Sequence, residues 1–188
     1  MMKFRVTDLP IKGLKVIEWT PSEDSRGRFE KIFCALSFKE LGFPGQVMQI
    51  NRSMTKKRGT VRGMHFQYPP WAEAKVVFCL RGSIWDVAVD LREGSESFLR
   101  WFAVELREDT PRALFIPEGF AHGFQTLTDD VEMLYIHSAP YVPESEGGIN
   151  PFDPKLAISW PLEVTVVSER DQKFPHIDDK FTGVKIIQ

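Results

Sequence analysis

Between Lys75 and His137 the chain alternates short apolar-rich runs with turn residues about every ten positions, the rhythm of an all-β sandwich or barrel. "AKVVFCL" and "SIWDVAVDL" flank Arg81-Gly82 and read as a hairpin, with "EGSESF" closing the pair. "RWFAVEL", "ALFIP", "HGFQTL" and "VEMLYIHS" follow, separated by "REDTPR", "EGFA" and "TDD", which makes at least six strands in one core. Helical periodicity is almost absent. The one helix predicted is "LSFKELGF", with Ser37 as cap, Phe38 and Leu41 facing inward and Gly42 as terminator. From Pro140 to Pro161 five prolines and the Gly147-Gly148 pair exclude a central strand, because proline lacks the ladder donor; an ordered loop over the barrel is expected. "VTVVSERDQKFPHIDD" predicts one short strand and then a charged tail. No repeat, low-complexity tract or linker interrupts the pattern, so residues 1–188 are expected to form a single domain.

Composition narrows the function classes. A chain of 188 residues with 43% hydrophobic content buries one good core. Its net charge of −2, from 24 basic and 26 acidic residues, creates no overall field to recruit nucleic acid or an anionic membrane, and leaves open only a local basic site. Cys34 and Cys79 lie in apolar, strand-like runs without a C-x-x-C or Cys/His cluster, which argues against a zinc site or a disulfide framework and for buried thiols in a reducing compartment. "MMKFRVTDLP" lacks the apolar core of a secretory signal, and no run reaches the 18 apolar residues of a membrane span; a soluble cytoplasmic protein is expected.

Two histidines carry the candidate chemistry. In "RGMHFQ", strand alternation puts His65 on one face with Gly63 and Gln67, and Met64 and Phe66 on the other. A lone histidine there is as readily a satisfied core residue as a functional one. Its company favours function: Lys56, Lys57, Arg58 and Arg62 precede it and Lys75 follows, a basic cluster suited to an anionic ligand such as a diphosphate, although a solvated loop accounts equally for Lys56 and Lys57. His122 stands in "PEGFAHGF", which fits the second half-motif of cupin barrels, P-x-G-x-x-H. The first half-motif of a metal-binding cupin requires an H-x-H pair and a glutamate, and "MHFQ" occupies that place, so a catalytic metal is not expected. A histidine without metal still serves as a general base near neutral pH, given an acid and an orienting carboxylate. Tyr135 is a candidate acid, with rim packing as its plain alternative. Asp86, Asp90 and Asp171 are all candidate partners for His65.

These segments together resemble the dTDP-4-dehydrorhamnose 3,5-epimerase family, whose members act on nucleotide-linked 4-keto-6-deoxyhexoses. The resemblance runs through "DSRGRF", "QINRS", "RGMHFQ", "AEAKVV", "RGSIWDVAVDLREGS", "PEGFAHGF", "LY", "DPKLAISWP" and "SERD", in order and over most of the chain. It implies an all-β, cupin-type jelly roll, usually a homodimer, with no metal and no organic cofactor. It implies His65 as the proton-abstracting base, Asp171 as its paired carboxylate, Tyr135 as the acid, Lys75 near the C4 oxygen and His122 as a second pocket histidine. It also places Arg26, Phe29, Gln49, Asn51, Arg62, Tyr141, Glu146 and Arg170 around the nucleotide sugar. Two positions depart from the family pattern: Lys31 stands where R-G-x-F-x-E has its glutamate, and Ile136 where many relatives carry lysine after the tyrosine. Three activities compete: inversion at C3 and C5 of dTDP-4-dehydro-6-deoxy-D-glucose, inversion at one centre of a related dTDP- or CDP-linked sugar, and sugar binding without catalysis. An acid and a base retained together favour the first, since a binding protein needs neither. Apolar strands such as "LKVIEW" are candidate paired edges between subunits.

Overall fold

The computed structural model describes residues 4–44 and 46–186, so the first three residues of "MMKFRVTDLP" lie outside it. Strands β1 (Arg5–Asp8) and β2 (Lys15–Glu18) lead into a small hairpin, β3 (Ser22–Asp24) and β4 (Gly27–Phe29), and then helix α1 (Ala35–Glu40). Eight strands build the body: β5 (Gln49–Thr55), β6 (Val61–Gln67), β7 (Lys75–Arg81), β8 (Ser83–Asp90), β9 (Trp101–Arg107), β10 (Arg112–Ile116), β11 (Phe120–Thr126) and β12 (Val131–His137). A 3₁₀ turn at Pro143–Ser145, strand β13 (Glu146–Gly148) and helix α2 (Glu169–Gln172) complete the elements. No helix is long and apolar enough to cross a membrane among the described residues.

The strands form two antiparallel sheets, ordered β1-β2-β10-β7-β12-β5 and β13-β6-β11-β8-β9, as in a cupin-type jelly roll. Strand alternation sorts the apolar side chains into three layers. Val77, Cys79, Leu114 and Met133 of the first sheet meet Ile84, Ala88, Val104 and Phe124 of the second between the sheets. Val76, Phe78, Phe115 and Ile136 point outward from the first sheet and are covered by Phe38 of α1, Phe43 and Trp19. Met64, Phe66, Val87 and Val89 point outward from the second and are covered by Ile149, Leu156, Ile177 and Val184. With the outer faces of the central strands covered by apolar side chains, the inward faces of β6 and β12 carry the polar residues that line the space between the sheets.

Several sequence expectations change. "AKVVFCL" and "SIWDVAVDL" are not a hairpin: β7 lies between β10 and β12, β8 lies between β11 and β9, and the chain crosses between sheets at Gly82 (φ +77°). Both strands are apolar on both faces, so their pattern cannot say which neighbour each takes. The "EGSESF" loop therefore joins β8 to β9, organised by buried Asp90, which accepts from Arg92, Ser95 and Ser97. Helix α1 starts with Cys34 at its N-cap, and Ser37 lies inside it; Phe38 is buried and Gly42 follows with φ +94°, as expected. Cys34 is thus half-buried at a helix end, while Cys79 is buried in its strand and its thiol is pushed up to about 12 by burial; both are free. The strand expected in "VTVVSERDQKFPHIDD" shrinks to a single parallel bridge, Val166 to Thr60, and "SERDQ" is α2 and its cap. "LKVIEW" is no free edge, since β2 is paired on both sides. The Pro140–Pro161 loop is ordered as expected, but its β13 segment adds itself to β6.

Candidate active site

Strand register assembles the site. His122 of β11 pairs directly with His65 of β6, in the second sheet. In the first sheet, Lys75 of β7 pairs with His137 of β12, and Tyr135 pairs with Asn51 of β5. The close approach of β6 and β11 depends on two glycines. A Cβ on Gly63, which has φ +119°, would lie 2.6 Å from the Gly123 Cα, and one on Gly123 would lie 2.5 Å from the Met64 sulfur.

Between the sheets opens a cavity of about 460 Å³ lined by Asn51, Ser53, Arg62, His65, Glu73, Lys75, His122, Tyr135, His137 and Glu146 among others. A histidine–carboxylate pair occurs three times around it. His65 Nε2 donates to Asp171 Oδ1 at 2.8 Å, His122 Nε2 to Asp86 Oδ1 at 2.7 Å, and His137 Nδ1 to Glu73 Oε2 at 2.6 Å. Asp171 Oδ2 accepts the Gly63 N–H at 3.1 Å. Asp171 is delivered by α2, whose cap Ser168 accepts from the Asp171 N–H at 3.0 Å. The choice left open among Asp86, Asp90 and Asp171 is thereby resolved: each holds a different cation or imidazole, and Asp171 holds His65.

Protonation states follow from surroundings. Burial pushes the Asp171 carboxyl up, but the hydrogen bond and charge of His65 and the Gly63 amide bring it below the ordinary carboxylate range. Asp171 is then an acceptor only, so His65 Nε2 carries a proton, and whenever the imidazole is neutral its lone pair is on Nδ1. Tyr135 is pushed up to about 12, chiefly by burial, and keeps its phenolic proton at neutral pH; its hydroxyl shares a hydrogen bond with Ser53 Oγ at 3.1 Å. Lys75 Nζ lies 2.8 Å from Glu73 Oε1. Burial pushes Glu73 up, yet Lys75 and His137 outweigh it and hold the carboxyl at about 2.

The remaining expected residues divide. Tyr141 N–H donates to Gln49 Oε1, Gln49 Nε2 to Asn51 Oδ1, and Tyr141 Oη and Arg170 both to Glu146, which makes one connected rim. Lys56, Lys57, Arg62 and Arg170 line an adjoining groove of about 650 Å³ on the other side of His65 and Asp171, whereas Arg58 turns away to the Leu127 carbonyl. Arg26 and Phe29 are not brought to the cavity of this single chain. They sit on the exposed β3–β4 hairpin, where Arg26 pairs with Asp24 and Phe29 is 67% exposed. Ile136 is buried on the outer face of the first sheet and touches no part of the cavity. Glu30 pairs with Arg28 and accepts from Trp19 Nε1, and Lys31 lies half-buried beside it.

Sequence reasoning missed Glu73, Ser53 and the use of His137 and Asp86. His137 was legible: it lies two residues beyond Tyr135 on one strand and so shares its face. Glu73 precedes its strand and carries no periodic signal. Among the described residues no group of three or more His, Cys, Asp or Glu side chains converges as a metal site would require.

The two sheets of the jelly roll thus present a His–Asp pair, a lysine and a protonated tyrosine to one shared cavity, the groups that proton transfer at a carbon beside a carbonyl calls for. Comparison with known proteins agrees. The family model described as dTDP-4-dehydrorhamnose 3,5-epimerase matches residues 8–179. The Sinorhizobium fredii protein of that name is 39% identical over 170 residues, covering 90% of this chain and 87% of the relative. A Streptomyces niveus relative, a dTDP-4-dehydrorhamnose 3-epimerase, is 40% identical, covering 89% of this chain and 81% of that one. The crystal structure of a dTDP-6-deoxy-D-glucose-3,5-epimerase from Legionella pneumophila in complex with dTDP-4-keto-L-rhamnose superposes with a TM-score of 0.90 at 36% identity, covering 98% of this chain and 100% of that one. The chain belongs to the dTDP-4-dehydrorhamnose 3,5-epimerase family, and it is an isomerase.

Proposed function

We propose that the protein inverts C3 and C5 of dTDP-4-dehydro-6-deoxy-D-glucose to give dTDP-4-dehydro-L-rhamnose, using its own side chains as acid and base. The observation that carries the reading is the placement of the His65–Asp171 pair on one sheet and protonated Tyr135 on the other, with Lys75 in the same cavity. A hydrogen on carbon beside a ketone is removable only if the enolate oxygen is stabilised as charge develops. Lys75 supplies that charge. His65 Nδ1 takes the proton from one face, and Tyr135 Oη delivers one to the opposite face, which inverts the centre. The basic groove with Arg62 and Arg170 suits the diphosphate, and the hydrogen-bonded Gln49–Asn51–Tyr141–Glu146 rim, of which Asn51 and Glu146 line the cavity, would contact the rest of the nucleotide sugar.

Incubating the dTDP-4-keto sugar with the protein in heavy water and following C3 and C5 by NMR tests this. Deuterium at both carbons with inversion is expected, and incorporation at neither refutes the reading. Inversion of one centre only is the second reading, favoured by the Streptomyces niveus 3-epimerase, which is as similar to this chain as the double epimerases are. Deuterium at a single carbon selects it.

The exposed hairpin bears on assembly. Arg26 and Phe29 match site positions yet lie off the cavity, so we propose a cytoplasmic homodimer in which each copy's hairpin completes the other's site. The unpaired Cys34 and Cys79 support the reducing compartment. Sedimentation as a monomer at assay concentration, with unchanged KM in Phe29→Ala, overturns the shared site.

A further inference from the structure

Lys75 is the first residue of β7 and only 5% exposed, so its ammonium has been taken out of water. Burial disfavours the charged form of a lysine unless a counter-charge is fixed beside it. The groups that share its cavity are mostly cationic or neutral: Arg52 from β5, itself paired with Glu132, Arg62 and His65 from β6, His122 from β11, Tyr135 and His137 from β12. Glu146 of β13 is drawn to Arg170, Asp86 of β8 is spent on His122 and Asp171 of α2 on His65. From β10 the residue paired with Lys75 is Ile116, which brings no charge. Glu73 is therefore the carboxylate left for Lys75, at 2.8 Å.

Glu73 is itself held. Its second oxygen accepts from His137 Nδ1 at 2.6 Å. The far side of that imidazole meets Asn51 Nδ2 at 3.3 Å, and Asn51 Oδ1 already accepts from Gln49. Asn51 must then donate to His137 Nε2, which leaves the imidazole proton on Nδ1, aimed at Glu73. The chain of hydrogen bonds runs unbroken from the Tyr141 amide at the rim through Gln49, Asn51, His137 and Glu73 to the lysine ammonium.

We propose that Glu73 and His137 are positioning residues for Lys75: Glu73 supplies the counter-charge that keeps the buried ammonium protonated and directed into the cavity, and His137 locks Glu73 in that orientation. This rests on the role given to Lys75 in the proposed reaction, but it has a readout of its own that needs no substrate.

With ¹³C,¹⁵N-lysine labelling, the Lys75 Nζ signal, assigned by its loss in Lys75→Arg, is followed against pH in the wild-type protein and in Glu73→Gln. The ammonium of the variant is expected to lose its proton at least one pH unit lower than in the wild type. An unchanged titration overturns the counter-charge role. In turnover, Glu73→Gln is expected to lose about fivefold or more in kcat one pH unit above its own Lys75 midpoint with KM within twofold, the alkaline fall of kcat moving with the NMR titration. Glu73→Asp, which retains the charge, is expected to restore the Lys75 titration and part of kcat; failure to restore either counts against the proposal. His137→Phe leaves the carboxylate present but untethered, with kcat several-fold lower and the Lys75 titration kept. Wild-type kcat in His137→Phe overturns the locking role and serves as the test if Glu73→Gln does not fold. If Lys75 responds to Glu73→Gln while the wild-type protein leaves the dTDP-4-keto sugar untouched, the charge pairing stands and the substrate assignment falls.

Discussion

Replacing Asp171 by Asn changes one atom and should disable His65 through its tautomer. Asp171 Oδ1 accepts from His65 Nε2 at 2.8 Å, and Oδ2 accepts from the Gly63 amide at 3.1 Å. An asparagine has one acceptor for these two donors. If its oxygen stays with Gly63, its NH₂ faces His65 Nε2, which must become the lone-pair nitrogen; Nδ1 then carries the proton and cannot serve as base. If the amide flips, the NH₂ meets the Gly63 N–H in a buried, donor-against-donor contact. Either arrangement leaves the imidazolium formed during proton transfer without its carboxylate. The equivalent Asp-to-Asn change in a hydrolase triad lowers kcat by about 10⁴, so a loss of about 10³–10⁴, or about 4–5 kcal/mol of barrier, is expected. The assay is wash-in of solvent deuterium at C3 and C5 under single-turnover conditions, beside ¹⁵N NMR of the His65 ring to read the tautomer. A variant within tenfold of wild type refutes the reasoning, and the ring tautomer shows which of the two arrangements the amide adopts.

Tyr135→Phe should block inversion yet leave exchange within about tenfold of wild type, because His65 can return solvent-derived deuterium to the original face; chiral analysis of the recovered sugar beside its deuterium content checks this. Gly63→Ala should destabilise the fold by about 1–3 kcal/mol or more, since its Cβ would lie 2.6 Å from a backbone carbon of the facing strand and φ is +119°, and urea denaturation measures the loss. Glu73 is depressed from 4.5 to about 2, so its contribution to stability is complete above about pH 4.5 and is lost as pH falls towards 2. On the order of 3 kcal/mol should disappear over that window, and chemical denaturation should show a steeper acid slope in the wild-type protein than in Glu73→Gln, where Asp90 and Asp171, also held low, still contribute.

How far the sequence reached depends on what kind of information each feature needs. Alternation alone put His65 on one face and Met64 and Phe66 on the other, and the structure keeps that division. The resemblance supplied Asp171, which spacing left level with Asp86 and Asp90; the geometry shows that all three are buried carboxylates with dedicated partners, a distinction no linear spacing contains. The path of the chain at Gly82 was illegible because β7 and β8 are apolar on both faces, so hairpin and sheet-crossing look alike. Helix α2 is too short for a periodic signal, although Ser168 three residues before Asp171 is a capping pattern that announces it. The Lys75–Glu73–His137 cluster requires knowing that Lys75 and His137 are cross-strand neighbours, 62 positions apart.

The division of the site between two sheets makes turnover a clock for the last event of folding. His65 and His122 can meet as soon as β6 and β11 pair, and Lys75, Tyr135 and His137 can align within the other sheet, but neither half alone faces both sides of a sugar ring. Asp171 arrives from 106 residues beyond His65, with the segment that seals the second sheet. Contacts so distant in sequence form slowly and together. A refolding chain should therefore regain its strands, as read by circular dichroism, ahead of its first turnover, and no compact intermediate with undocked sheets should epimerise anything.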